Sequence, residues 1–189
     1  MYGTYSYSNG SKVLGILVPL FLTISLVCVC VSIGLPYWIT FGSTNYGLFQ
    51  ICNSTMFTQC FTSTSYLSDN ANNSLTFWYT MISLACFGAL FMLVSEICVF
   101  IYPCYKVIHT RKIVVGVVLV VCLILGSFFI LAVNGLMIGV AVQSALTKTS
   151  AGQAMNYVGW TFYLCGVGGL LALITSIMFI VHLYLAVYY

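Results

Sequence analysis

Four long apolar runs, at about residues 13–36, 75–102, 113–142 and 158–189, leave this chain few ways to fold. Each exceeds the roughly 20 residues that a helix needs to cross about 30 Å of hydrocarbon. Inside a bilayer the backbone must satisfy its own hydrogen bonds, which limits spanning structures to helices and closed barrels. Barrel strands alternate over segments of roughly 10 residues, and these runs do not. Only 4% of the residues are charged, against about 25% in a soluble domain, so no ordinary water-facing surface can be built. The expected fold class is an all-α membrane protein, a left-handed four-helix transmembrane bundle, in one domain over residues 1–189. The polar residues 1–11 read as a tail. The first run is longer than the roughly 7–15 residues of a secretory signal core and is expected to remain as a span.

Orientation follows from the few basic residues. Lys12 precedes the first run, and Lys106, Arg111 and Lys112 lie between the second and third, whereas Lys148 alone lies on the other side. Basic residues collect on the cytoplasmic face, which places both termini in the cytoplasm of a multi-pass plasma-membrane protein. Residues 37–74 and 143–157 then form the two extracellular loops. Trp38, Trp78 and Trp160 fall at the extracellular ends of their spans, where tryptophan rings favour the headgroup level. A plain aromatic belt is the alternative for Trp78 and Trp160.

The first loop holds most of the remaining information. Tyr37 to Phe41, Tyr46 to Cys52 and Phe57 to Thr62 are β-prone, and turn-forming residues separate them. They predict a small extracellular antiparallel sheet of three or more strands resting on the helix ends. Of nine cysteines, six lie in the apolar runs, where they behave as small hydrophobes. Cys104 sits in the basic loop, which leaves Cys52 and Cys60 flanking one hairpin turn. On an oxidising face they are expected to form a disulfide worth about 2–3 kcal/mol, the alternative being two free thiols. Asn53 and Asn72 each begin an N-glycosylation sequon.

A tryptophan just after the first span, then Gly-Leu-aromatic, then two cysteines, resembles the signature of the claudin superfamily. Here those residues are Trp38, Gly47, Leu48, Phe49, Cys52 and Cys60. The topology, with a long first and a short second extracellular loop, extends the resemblance over the whole chain. The interval from Trp38 to Phe49 is closer to the peripheral-myelin-protein and epithelial-membrane-protein branch. Phe49 stands where the family usually has Trp, no Arg follows Cys60, and the chain stops at Tyr189, where claudins continue into a scaffold-binding tail. The resemblance implies that Trp38 and the Gly47-Leu48-Phe49 segment anchor the sheet to the bundle and the membrane surface.

Within the spans, Glu96 is the one acid, and an ionisable side chain there is costly. It can snorkel toward the cytoplasm, pair with Lys12, Lys106 or Arg111, or meet a partner helix. Gly135 and Gly139 after Asn134, and Gly166, Gly168 and Gly169, suggest close helix approach. Cys98 and Cys104 near the cytoplasmic boundary are palmitoylation candidates.

Two acids and two histidines, scattered along the chain, supply no catalytic constellation. No enzymatic activity, metal or cofactor is expected, and no nucleic-acid partner. The expected role is a claudin-like structural protein of cell–cell contacts, acting in adhesion, in a junction or as a paracellular barrier. It would have lipids as neighbours and associate with itself in cis and in trans. With only Asp69 and Lys148 outside, any paracellular path would be weakly selective. The alternative is a stargazin-like auxiliary subunit of an ion channel or receptor. A tetraspanin would put its large loop second and carry Cys-Cys-Gly, and a connexin would carry cysteines in both loops.

Overall fold

A computed structural model of the chain describes residues 9–41, 43–53, 59–63, 74–102, 109–148 and 158–188. Four helices contain its apolar runs: α1 Asn9–Gly34, α2 Ser74–Ile101, α3 His109–Lys148 and α4 Trp160–Tyr188. All four are long and apolar enough to cross a membrane, over Val13–Gly34, Phe77–Ile101, Ile113–Gly139 and Trp160–Leu185. Between α1 and α2 lie four short strands, β1 Ile39–Phe41, β2 Thr44–Tyr46, β3 Gln50–Asn53 and β4 Gln59–Thr62. They form one antiparallel sheet in the order β1-β2-β3-β4. The described part is thus a multi-pass helical membrane protein with a small sheet.

The helices close into a ring in which α1 packs on α4, α4 on α3, α3 on α2, and α2 more lightly on α1. Buried positions recur in alternating steps of three and four residues. On α1 they are Val18, Leu22, Ser25, Val29 and Ser32, and on α4 Thr161, Cys165, Gly168, Ala172, Thr175, Phe179 and His182. That spacing keeps one seam of each helix facing the others. The outward faces are equally apolar: Ile16 is 71% exposed, Phe128 65% and Phe100 62%. Lipid is the solvent these faces require, since water would leave them as one continuous hydrophobic patch.

Several polar side chains in the seam are hydrogen-bonded, as a low-dielectric interior favours, while Asn134 Oδ1 and Thr161 Oγ1 are buried without a hydrogen-bond partner among the described residues. Ser25 donates across to the Gly168 carbonyl at 2.6 Å, Ser95 to Phe91 at 2.9 Å, and Thr175 to Leu171 at 2.7 Å. Hydroxyls here tie turns and helices together without burying a charge.

Several boundaries differ from expectation. Helix α1 already includes Asn9 to Ser11, assigned above to the tail. Helix α3 continues through Lys148, into residues taken for the second loop, because Val-Gln-Ser-Ala-Leu-Thr-Lys contains no glycine or proline to stop it. Helix α4 begins at Trp160, two residues later than expected, and Val158 instead forms a β-bridge with Ile39. The β-prone run from Tyr46 to Cys52 is not one strand, since Gly47, Leu48 and Phe49 interrupt it.

Small residues also act elsewhere than foreseen. Among the described residues nothing lies within 4 Å of a Cβ built on Gly135, Gly139 or Gly166, so these three glycines mediate no packing between the described parts of the bundle. The close contact of α2 with α3 is made at Gly88 and Gly126. A Cβ on Gly126 would meet Met92 Cγ at 2.9 Å, the Gly88 carbonyl at 3.1 Å and the Met92 nitrogen at 3.3 Å. Gly168 plays the expected part against α1, with Val29 Cγ2 at 2.8 Å and the Ser25 carbonyl at 3.1 Å from its built Cβ.

The Gly126→Leu variant is expected to lose about 1–3 kcal/mol of stability through overpacking against backbone, whereas Gly135→Leu stays near wild type. Thermal unfolding of the two variants in detergent checks this.

Candidate functional site

The residues quoted for the first loop meet where the sheet stands on the helix ends, and Trp38 lies at the centre. It is fully buried. Its indole Nε1 donates to the Ser32 carbonyl at 2.7 Å. That carbonyl belongs to the last turn of α1, where four C=O groups lack helical partners. The Trp38 amide donates to the Tyr46 carbonyl at 3.0 Å, and the Trp38 carbonyl accepts from the Gly159 amide at 2.8 Å. Its ring meets Phe162 edge to face at 6.4 Å. One residue therefore joins the end of α1, strand β2 and the segment entering α4.

The turn Gly47-Leu48-Phe49 is equally well tied. Gly47 donates to the Gln50 carbonyl at 2.8 Å and its carbonyl accepts from Ser63 Oγ at 3.1 Å. The Leu48 carbonyl accepts from Trp78 Nε1 at 2.9 Å, and the Phe49 carbonyl from the Ser63 amide at 2.9 Å. A Cβ at Gly47 would strike Pro36 Cα and approach the Leu35 carbonyl to 2.8 Å. Only glycine fits so near the end of α1. Leu48 is fully buried in the bundle core, while Phe49 is 38% exposed.

Cys52 and Cys60 face each other on β3 and β4 and form a disulfide. It closes a sheet of three- and four-residue strands that could not persist alone. Across the sheet, Ile39, Tyr46, Ile51 and Phe61 are successive register partners and share one face. Ile39 belongs to the bundle core and Tyr46 packs against it, so this is the bundle side. Thr40, Asn45 and the two cysteines form the neighbouring row, on the opposite face.

Trp78 is buried rather than part of a plain aromatic belt. Trp160 is 53% exposed and stacks on Tyr37 with ring centroids 6.1 Å apart. Three contributors were not singled out from the sequence: Ser32, Ser63 and Gly159. A Cβ on Gly159 would collide with the Tyr37 carbonyl, so this glycine permits the residues just before α4 to approach β1. The dipeptide Gly159-Trp160 at a span boundary was its only visible signal.

Among the described residues Glu96 meets a hydroxyl; the side chains of Lys12, Lys106 and Arg111, its expected partners, lie outside them. Thr23 Oγ1 donates to Glu96 Oε1 at 2.6 Å and also lies 2.8 Å from the Pro19 carbonyl. Glu96 Oε2 is buried and makes no hydrogen bond among the described residues. Glu96 sits six residues, or about 9 Å along the helix, from Tyr102, whose ring packs on Phe179 and His182 at 5.3 and 6.1 Å. The partner it has among the described residues is a neutral hydroxyl on a neighbouring span.

Asn53 ends β3 and is half-buried, while the remaining residues of its sequon lie outside the described residues, as do Asn72 and Cys104. Cys98 is half-buried near the end of α2. Among the described residues no three His, Cys, Asp or Glu side chains cluster as metal ligands. No family model matches the chain, and no curated protein matches it.

Trp38→Phe keeps the ring and removes one donor to a buried carbonyl, which is expected to cost about 1–3 kcal/mol. The same change at Trp160, whose ring is half in solvent, is expected to be nearly neutral. Thermal unfolding compared between the two variants checks this.

Proposed function

We propose that this chain is a claudin-like structural membrane protein of cell–cell contacts, working in adhesion or as a junctional barrier through its sheet. The observation that carries the reading is the sheet itself: disulfide-closed and fastened to three helices by Trp38, Gly47 and Trp78. Such a platform presents a fixed surface at the ends of the spans, and rigid elements hold recognition surfaces better than loops do. The motif residues quoted for the claudin superfamily all converge there, which supports assignment to that superfamily.

The orientation proposed is sheet outside, termini inside, in the plasma membrane. Lys12, Arg111 and Lys112 lie in the helix turns away from the sheet and Lys106 precedes Arg111 in the sequence, in keeping with the positive-inside rule. A disulfide at the sheet suits an oxidising compartment. The bundle is taken as left-handed because its buried positions repeat on average every 3.5 residues. Self-association in cis has a candidate surface in Gly135 and Gly139, which point outward with nothing within 4 Å of a built Cβ.

The test is imaging of the protein expressed alone in non-adherent cells. Enrichment at cell–cell contacts is expected. Uniform surface distribution, with stoichiometric co-purification of a channel or receptor in mild detergent, would replace this reading with the auxiliary-subunit one.

A further inference from the structure

The apolar row on the bundle side of the sheet does not end where the bundle ends. Ile39 is 4% exposed and Ile51 1%, but Phe61, the fourth member of the row, is 49% exposed. Strand β4 lies three strand spacings from β1, about 14 Å away, and β1 is the strand fixed to α1 and α4 through Trp38 and Val158. Phe61 therefore carries the bundle-side row to the edge of the sheet farthest from β1, where it is exposed.

Its height is fixed by its neighbours. Ser63, two residues on, donates its amide to the Phe49 carbonyl. The preceding carbonyl, of Leu48, accepts from Trp78, which lies in the first turn of the second candidate span. Phe49, 38% exposed, and Phe61 thus sit near the level where the apolar surface of the helices begins.

We propose that Phe61 is a membrane foot: it inserts into the headgroup–acyl boundary of the leaflet on the sheet side and seats the β4 edge of the sheet on lipid. Aromatic rings gain at that boundary, where an apolar body meets a wet edge. A second protein is the weaker fit. The two half-exposed rings offer on the order of 200 Å², against about 800 Å² per partner in a stable interface. The foot continues the lipid-facing surface of the spans, whereas Thr40, Asn45 and the Cys52–Cys60 disulfide lie on the other side of the sheet. The inference rests on the helices spanning the bilayer and not on the adhesive role.

The test replaces Phe61 with photoreactive p-benzoylphenylalanine in the full chain, reconstituted in phosphatidylcholine vesicles. The same replacement at Phe87, on the outward face of α2, and at Asn45, on the opposite sheet face, supplies the references. On irradiation Phe61→p-benzoylphenylalanine is expected to form phosphatidylcholine adducts several-fold above the Asn45 site and close to the Phe87 site. Adduct yield no higher than at Asn45 overturns the proposal, as does crosslinking to a second copy in place of lipid. Absence of adducts at Phe87 as well would overturn the spanning arrangement beneath it. If the photoreactive chain fails to form the Cys52–Cys60 disulfide, Phe61→Trp carries the test. Its added fluorescence is expected to be quenched by lipids brominated high on the acyl chain, and unquenched emission overturns the foot.

Discussion

The hydrogen bond from the Trp38 indole to the Ser32 carbonyl is the constraint on which the rest of the sheet end depends. A helix leaving a membrane exposes its last carbonyls at the boundary where water becomes scarce. Here one of them is capped by a side chain that arrives from beyond the helix. To reach back, the chain must turn at Leu35 and Pro36, and that turn leaves no room for a Cβ at Gly47. The Trp38 backbone then pairs with Tyr46 and Gly159. Cap, first strand and the entry to α4 are consequences of one buried ring.

The bundle below follows from the exchange of water for lipid. Its seams carry serines, threonines, an asparagine and an acid, while leucine, isoleucine and phenylalanine face outward. Burial of apolar surface gives helices no advantage over lipid contact, so close approach and hydrogen bonds hold them together. The Gly88–Gly126 contact, the Ser25–Gly168 bond and the Thr23–Glu96 bond are of these two kinds.

Much of this was legible in the sequence, for identifiable reasons. Hydrophobic length alone identifies four spanning helices, and of the three cysteines outside the apolar runs the two in the first loop single out the disulfide pair. The interruption at Gly47-Leu48-Phe49 was not legible, because those residues are β-prone locally. Their carbonyls are claimed instead by Trp78 and Ser63, which are distant in sequence. Outward and inward glycines look alike in a run of apolar residues, so Gly135 and Gly139 could not be told from Gly88 and Gly126. Thr23 gave no sign of meeting Glu96, seventy-three residues away. Local pattern specifies elements; partners across the fold decide which side of an element is used.

The central claim is that sheet and helix ends form one unit. Hydrogen exchange of the intact protein in detergent tests it through four junction amides: Trp38, Gly47, Ser63 and Gly159. The account predicts that they open together, at one common rate and with protection like that of the neighbouring turns of α1 and α4. Fast, independent exchange of Ser63 and Gly159 beside protected helices would contradict it, and would leave the sheet a loosely tethered hairpin.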